Sequence, residues 1–466
     1  MDFRRTTVAA LVDDVVAKRI SSRELVDIAL ARIDEVDPQV NAFVAVDGDR
    51  ARADAAALDE RIAAGEEVGP LTGIPIGVKD LEDAIGFPTS QGSAVYADGP
   101  PATSDSALVD RMRAAGCIVV GKTNTPELGF KGDTTNPRFG ITCNPWDLGR
   151  SAGGSSGGSA AAIAAGMVPL CTGSDGGGSI RTPSSVCGLS GLKPSLGRVP
   201  MGGSAPPSWG DLSTRGPMAR RIRDIALALD AVVGPEPTDL RTLPMPEGSW
   251  SRSLDDVHAP RRIGWAPTLG YAKVDSEILA LCEAAMARFA ALGAEIVHVD
   301  PVFPNDPVGP WLTLAMTSNL RQLGHLKGTD LWARLDPDHT AMMEAFGATT
   351  SGTDVIAAID ACHVANVRLV ELFHKVPLIC TPTVAGQTPT PNGLGTIDGE
   401  GTPNWVSFTY PFNMTRSPAG TVCVGLTGDG LPVGLQIVGP QHGDVAVLRG
   451  LTFLEDALAL DPIAPL

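Results

Sequence analysis

Two glycine runs in this chain carry serines, and no histidine lies near either. The first is Gly153-Gly154-Ser155-Ser156-Gly157-Gly158-Ser159; the second is Gly176-Gly177-Gly178-Ser179-Ile180-Arg181. A serine hydroxyl becomes a nucleophile only when a neighbouring base takes its proton. All seven histidines (His258, His298, His325, His339, His363, His374 and His442) come after both runs. A serine hydrolase whose base is a lysine is therefore the leading expectation. Gly77-Val78-Lys79-Asp80 supplies that lysine at the end of an apolar stretch. The four backbone N–H groups of Gly176, Gly177, Gly178 and Ser179 could aim at one oxygen and make an oxyanion hole. Ser179, at the end of that loop and just before Ile180-Arg181-Thr182-Pro183, is the natural nucleophile.

Two other patterns bear on the chemistry. Gly116 to Thr123 fits the phosphate-loop formula G-x4-G-K-[ST], which needs a turn of backbone amides around phosphate. Its intervening residues, Cys117-Ile118-Val119-Val120, favour a buried strand instead, followed by a turn at Gly121-Lys122-Thr123. Gly153 to Gly157 fits the G-x-S-x-G nucleophile elbow, which needs an apolar strand directly before the serine. The preceding Asp147-Leu148-Gly149-Arg150-Ser151-Ala152 reads as loop. An α/β-hydrolase-type esterase using Ser155 with His374 or His442 remains the alternative.

The elements that must hold these residues follow an α/β rhythm of helix, glycine and short apolar strand. Residues 7–18 and 22–36 read as helices, the second opened by the capping box Ser21-Ser22-Arg23-Glu24 and ended by Asp37-Pro38. A helix over 104–115 stops at Gly116. An alanine-rich helix starts over Ser159 to Ala165, ahead of Val168-Pro169-Leu170-Cys171. Residues 234–261, rich in Pro, Asp and Arg, form a surface excursion. Arg262 to Trp265, 275–292 and Glu295 to Val299 then read as strand, helix and strand. Residues 308–375 are mostly helical, and 383–404 form a long loop. Thr421 to Gly425 and Val433 to Val438 flank the Gly428-Asp429-Gly430 turn as a hairpin.

Composition excludes several classes. The chain of 466 residues has 43% hydrophobic and 19% charged residues, so it can build a large core and is not disordered. A net charge of −17 argues against a nucleic-acid binder. The N-terminal residues lack the apolar core of a signal peptide, and the apolar run from Ala160 to Pro169 is too short to span a membrane. Eight scattered cysteines without a CxxC pair suggest a reduced, cytoplasmic protein. No Cys/His cluster has ligand spacing, so neither metal nor other cofactor is expected.

Gly153 to Ser159, Gly173-Ser174-Asp175-Gly176-Gly177-Gly178-Ser179-Ile180-Arg181 and Cys187-Gly188-Leu189-Ser190-Gly191-Leu192-Lys193-Pro194 together resemble the amidase signature family. Further blocks resemble it in order: Asn41-Ala42-Phe43, Gly73 to Asp80, Gly121 to Asn124, Asn144-Pro145-Trp146 and Gly430 to Gln436. Position 176, often Thr or Ile in the family, is Gly here, which removes no backbone donor. The resemblance implies an α/β fold of one large domain over 1–466, with a mixed central sheet covered by helices on both faces. A helical N-terminal arm would cover about 1–45, and a variable helical and loop region about 235–420. It also implies a catalytic triad of Ser179 (nucleophile), Ser155 (bridge) and Lys79 (base), a cis peptide between Gly154 and Ser155, and the oxyanion hole at Gly176 to Ser179. Asp175 and Arg181 would hold the loop as an ion pair, with Ser156 in the same network.

By motif position, the resemblance implies that Gly129 and Phe130 line the acyl side; Trp209, Trp405 and Phe408 are further wall candidates. The implied activity is hydrolysis of amide carbon–nitrogen bonds, with esters, anilides or carbamates as further substrates. The partner is a small-molecule amide, not nucleic acid or membrane, and the protein is a monomer or homodimer. The family also contains the glutaminase subunit of a tRNA-dependent amidotransferase. This chain departs from that branch after Arg198, in the segment Val199 to Trp209.

Overall fold

The computed structural model describes residues 1–466 except 97, 204, 205 and 392, so Ser204 and Ala205 of the 199–209 segment lie outside the described residues. Short runs that are apolar without alternation suit strands buried on both faces, and such runs build much of the frame. Eleven strands form one mixed sheet. They are β1 (Phe43–Val46), β2 (Pro75–Lys79), β3 (Ile118–Thr123), β4 (Leu170–Asp175), β5 (Ser190–Lys193), β6 (Thr214–Ala219), β7 (Arg262–Trp265), β8 (Glu295–His298), β9 (Ile379–Pro382), β10 (Ala419–Leu426) and β11 (Pro432–Val438). Their spatial order is β1-β3-β2-β4-β6-β5-β10-β11-β9-β7-β8. β2 runs parallel to β3 and β4, and β7 parallel to β8 and β9. β6 is antiparallel to β4 and β5, and β10–β11 is the expected hairpin.

Helices flank the sheet. α1 (Val8–Val16) and α2 (Ser22–Val40) come first, then α3 (Gly48–Ala63) and α4 (Ala107–Ala114). α5 (Gly157–Ala164) and α6 (Arg181–Val186) each leave one of the glycine runs. α7 (Ile222–Val232) packs on β6, and α8 (Ser276–Ala291) lies against the β10–β11 hairpin. α9 (Val308–Leu323), α10 (Pro337–Met342) and α11 (Gly352–Phe373) supply the helical 308–375 region. α12 (Pro411–Met414) and α13 (Asp444–Leu458) complete the set. Among the described residues no helix is long and apolar enough to cross a membrane.

The structure corrects five readings of the sequence. Residues 383–404 are not all loop, because Gly395–Ile397 and Glu400–Thr402 pair as a small antiparallel ribbon. α2 does not end at Asp37-Pro38 but runs on to Val40. A proline in a last turn forfeits little, and Asn41 closes the helix in the left-handed conformation, its N–H donating to Asp37 O at 2.7 Å. The Asp37 carboxylate then accepts the Ala42 N–H at 2.6 Å. Gly121-Lys122-Thr123 is not a turn but the end of β3, paired to β1 on one side and β2 on the other. Lys122 is buried there, 3.1 Å from Asp80. Asp147–Ser151 is a strand, paired with Cys143–Asn144 outside the main sheet. It is largely exposed, so it still cannot serve as the strand of a nucleophile elbow. The 234–261 excursion is not wholly superficial, because Trp250 and Leu254 are buried in the main core.

Candidate active site

Lys79 is the last residue of β2 and is completely buried. Its backbone N–H donates to Thr172 Oγ1 on β4 at 2.9 Å. Its Nζ lies 2.8 Å from Ser155 Oγ, 2.9 Å from Ser156 Oγ and 3.0 Å from Ser174 Oγ. Three hydroxyls surround it, and among the described residues no carboxylate pairs with it. Burial pushes the ammonium down to about 7, with Arg215 acting in the same direction and Glu82 and Asp175 against it. The Ser156 hydroxyl donates to Ser174 O at 3.3 Å, so its oxygen is free to accept from the amine. A neutral amine has one lone pair and two N–H groups. Donating to Ser156 and Ser174 leaves that lone pair for the Ser155 hydroxyl.

Ser155 and Ser156 stand at the start of α5, and the Gly154–Ser155 peptide is cis. Ser179 stands just before α6. The Ser156 N–H donates to Ser179 O at 3.2 Å, which ties the two glycine runs together. Ser155 and Ser179 line one small cavity of about 30 Å³. Among the described residues the Ser179 hydroxyl makes no hydrogen bond, so the Ser155–Ser179 link is open. Hydrogen bonds of this kind are often long before substrate binds.

Asp175, the last residue of β4, organises the second loop. Its fully buried carboxylate accepts from Arg181 Nη2 at 2.8 Å and Nε at 2.9 Å, from Gly178 N–H at 2.7 Å and from Ile180 N–H at 3.2 Å. Burial alone would raise this carboxyl, but Arg181 overrides it and holds it well below the usual carboxylate range. Arg181 also donates to Thr409 O at 2.9 Å, Gln436 Oε1 at 2.7 Å and Asn413 Oδ1 at 2.7 Å. The expected ion pair is therefore a bracket between the loop, α12 and β11. It also corrects the oxyanion expectation. Gly178 N–H is spent on Asp175, so only Gly176, Gly177 and Ser179 have amides available to a substrate oxygen. Gly178 serves the backbone instead: its φ of +132° and its close approach to Thr409 exclude a side chain.

The cavity wall contains Gly129 and Trp209 as expected. Phe130 is not there; it is buried and stacks on His339 at 4.4 Å between ring centroids. Trp405 and Phe408 also lie in the core, away from the cavity. None of the seven histidines lines it. The buried His339 bonds to Glu127 at 2.8 Å, beneath the 127–130 turn.

The sequence reading missed four residues. Ser174 is the third partner of Lys79. Strand alternation offered the signal, because Thr172 and Ser174 share a face of β4. Trp311 on α9 donates Nε1–H to Gly176 O at 2.9 Å and lies tilted against Trp209, 5.8 Å between centroids. Glu82 and Arg215 line the cavity as an ion pair, 2.5 Å between Oε1 and Nε. Arg215 faces Ser174 directly across the β4–β6 pair.

The amidase family model matches residues 24–448. The chain is 38% identical over 441 residues to an acylamidase from Rhodococcus erythropolis, covering 93% of this chain and 92% of that one. It is 35% identical over 468 residues to a glutamyl-tRNA(Gln) amidotransferase subunit from a Synechococcus species, covering 94% of each. The solved structure of a bacterial aryl acylamidase of the amidase signature family superposes with a TM-score of 0.90 at 32% identity, covering 97% of this chain and 96% of that one.

Proposed function

We propose how this chain, which belongs to the amidase signature family and is a hydrolase of amide carbon–nitrogen bonds, carries out its reaction. Ser179 attacks the amide carbonyl, Ser155 relays its proton, and neutral Lys79 receives it. The observation that carries this reading is the Lys79 amine, buried, pushed down to about 7 by that burial and 2.8 Å from Ser155. Burial disfavours the ammonium, and that turns a lysine into a base.

The steps follow from the geometry. As the Ser179 oxygen bonds to carbon, its proton passes through Ser155 to Lys79. The carbonyl oxygen gains negative charge and is met by the amides of Gly176, Gly177 and Ser179. The relay then runs backwards and protonates the nitrogen, the carbon–nitrogen bond breaks, and the amine leaves. An amide needs this proton because an unprotonated amine anion is a very poor leaving group. Water attacks the resulting ester by the same relay and releases the acid. Esters, anilides and carbamates fit the same chemistry. The 35% identity to an amidotransferase subunit supports a second reading, glutamine hydrolysis for a partner enzyme; glutaminase activity of the isolated chain would favour it. The free state of all eight cysteines fits work in a reducing cytoplasm, and the protein is proposed to act as a monomer or homodimer.

Labelling with a fluorophosphonate, followed by peptide mass spectrometry, should place the adduct on Ser179. An adduct on Ser155 would favour the elbow reading.

A further inference from the structure

The cavity at the two serines is about 30 Å³, room for little more than the reacting amide group. The rest of a substrate must lie elsewhere. A larger cavity of about 380 Å³ adjoins it and shares Leu81, Leu128, Met201, Ser208 and Arg215 with it. Arg215 therefore stands where a substrate would pass from one space to the other. β6 holds it there, with Ser174 opposite. On one side its Nε meets the buried Glu82 carboxylate at 2.5 Å. No protein group accepts from its Nη1 or Nη2 among the described residues, and neither nitrogen is a buried unsatisfied atom, so both amines are open to the cavities.

Resting on the amidase reading, we propose that Arg215 is a specificity-determining residue that binds an acceptor oxygen, of a carboxylate or a second carbonyl, on the substrate beyond the scissile amide. A guanidinium fixed at Nε presents its two remaining amines in a planar fork, the geometry that suits a carboxylate or carbonyl oxygen. The charges nearby refine this. Glu82 offsets the guanidinium, and Asp105 in the larger cavity is already paired with Arg113 at 3.0 Å. Asp83 also lines that cavity, and Arg321 faces it from α9. The local charge is near balance, so the site selects for an acceptor oxygen and not simply for an anion. Leu81, Leu128, Met201 and Trp209 supply apolar or aromatic walls at the serines, beside the hydroxyls of Ser208 and Ser213. An alkyl substituent therefore fits the walls but leaves Arg215 unanswered.

Two matched sets of amides test this. One varies the acyl half: anilides of glutaric acid, glutaramic acid and hexanoic acid. The other varies the amine half: acetyl derivatives of 4-aminobenzoate, 4-aminobenzamide and 4-methylaniline. kcat/KM is measured on the alkaline plateau, where the charge state of Lys79 no longer matters. In at least one set the wild-type enzyme should prefer the acceptor-bearing members to the alkyl member by tenfold or more. Arg215→Met should cut that preference at least tenfold, mainly through KM. Because this variant strands the Glu82 carboxylate, the double variant Glu82→Gln/Arg215→Met is measured beside it and should show the same loss. The acid and amide members separate a carboxylate from a neutral carbonyl as the favoured group. No preference in either set, or an equal fall for every member in both variants, would overturn the role of Arg215. Failure of the amidase mechanism looks different: Ser179→Ala would keep its turnover.

Discussion

The charge state of Lys79 gives the sharpest test of the chemistry. A free lysine near pKa 10.5 is neutral in only about one molecule in three thousand at pH 7. Burial brings this one to about 7, where half the molecules hold a neutral amine. The environment thus raises the active fraction by roughly three decades. On the proposed relay the proton-free form is active, so kcat/KM should climb with unit slope at low pH, reach half its limit near pH 7 and level off above about pH 8. The difference of about 3.5 pH units corresponds to roughly 5 kcal/mol against holding the ammonium in this site. Between pH 7 and 10.5 the unfolded chain binds a proton that folded Lys79 lacks, so this group makes stability rise with pH across that window. Replacing it with an apolar side chain removes that penalty. Lys79→Met should lose amide turnover by several decades yet unfold at pH 7 no more easily than the wild type. Lys79→Arg should not rescue activity, since guanidinium stays protonated. The assays are stopped-flow amide hydrolysis from pH 5 to 10 and thermal unfolding. An arginine variant with near wild-type amide turnover would show that Lys79 is only a charge partner, and the relay would be wrong.

Other expectations follow from the same contacts. Glu82→Gln removes a negative charge that favours the Lys79 ammonium, so the acid limb of the pH profile should move to lower pH by about half a unit; a move upward would contradict the electrostatics assigned here. Asp175→Asn strands the buried Arg181 guanidinium and should cost about 3–5 kcal/mol in denaturant melts, with turnover lost as well. Gly177→Ala would drive a methyl into Trp311 and displace the loop, so kcat should fall about a hundredfold while the fold survives; unchanged kcat would remove Gly177 from the oxyanion site. His374→Ala and His442→Ala should each stay within about tenfold of wild type, a barrier change under about 1.4 kcal/mol, since neither lines the cavity.

What the sequence could reveal depended on how local the signal was. The glycine runs, Lys79 after an apolar stretch and the Asp175–Arg181 interval are legible because one backbone segment carries each. The strands β3, β4, β7 and β11 are legible as apolar runs between turn residues. The misreadings have physical causes. Gly121-Lys122-Thr123 looks like a turn because glycine and lysine are rare in central strands, yet Lys122 finds Asp80 in the interior. Pro38 looks like a helix end because its lost hydrogen bond is local, while the Asn41 and Asp37 contacts that continue the helix lie beyond it. Phe130 looks like a wall because its motif position, beside Gly129, implies one. Only the distant His339, arriving from α10, shows which way the ring turns. Trp311 and Arg215 could not be found at all, because each acquires its role from an element far away in the chain.

The sheet order explains why the groups of the proposed relay can be held so closely. β2, β4 and β6 are successive neighbours, and they deliver Lys79, then Ser174 with Asp175, then Arg215. Strand pairing fixes these groups before any loop is placed: Arg215 registers with Ser174, and Thr214 with Asp175. The serines at 155 and 179 then come from loops, but each loop is secured to that frame, one through the Lys79 amine and the other through the Asp175 carboxylate. Charge is divided in the same way. The anion that anchors the second glycine loop is cancelled by Arg181 behind it, and Glu82 is cancelled by Arg215 beside it. Lys79 is left among hydroxyls with no ion partner of its own, which is the condition a lysine base requires.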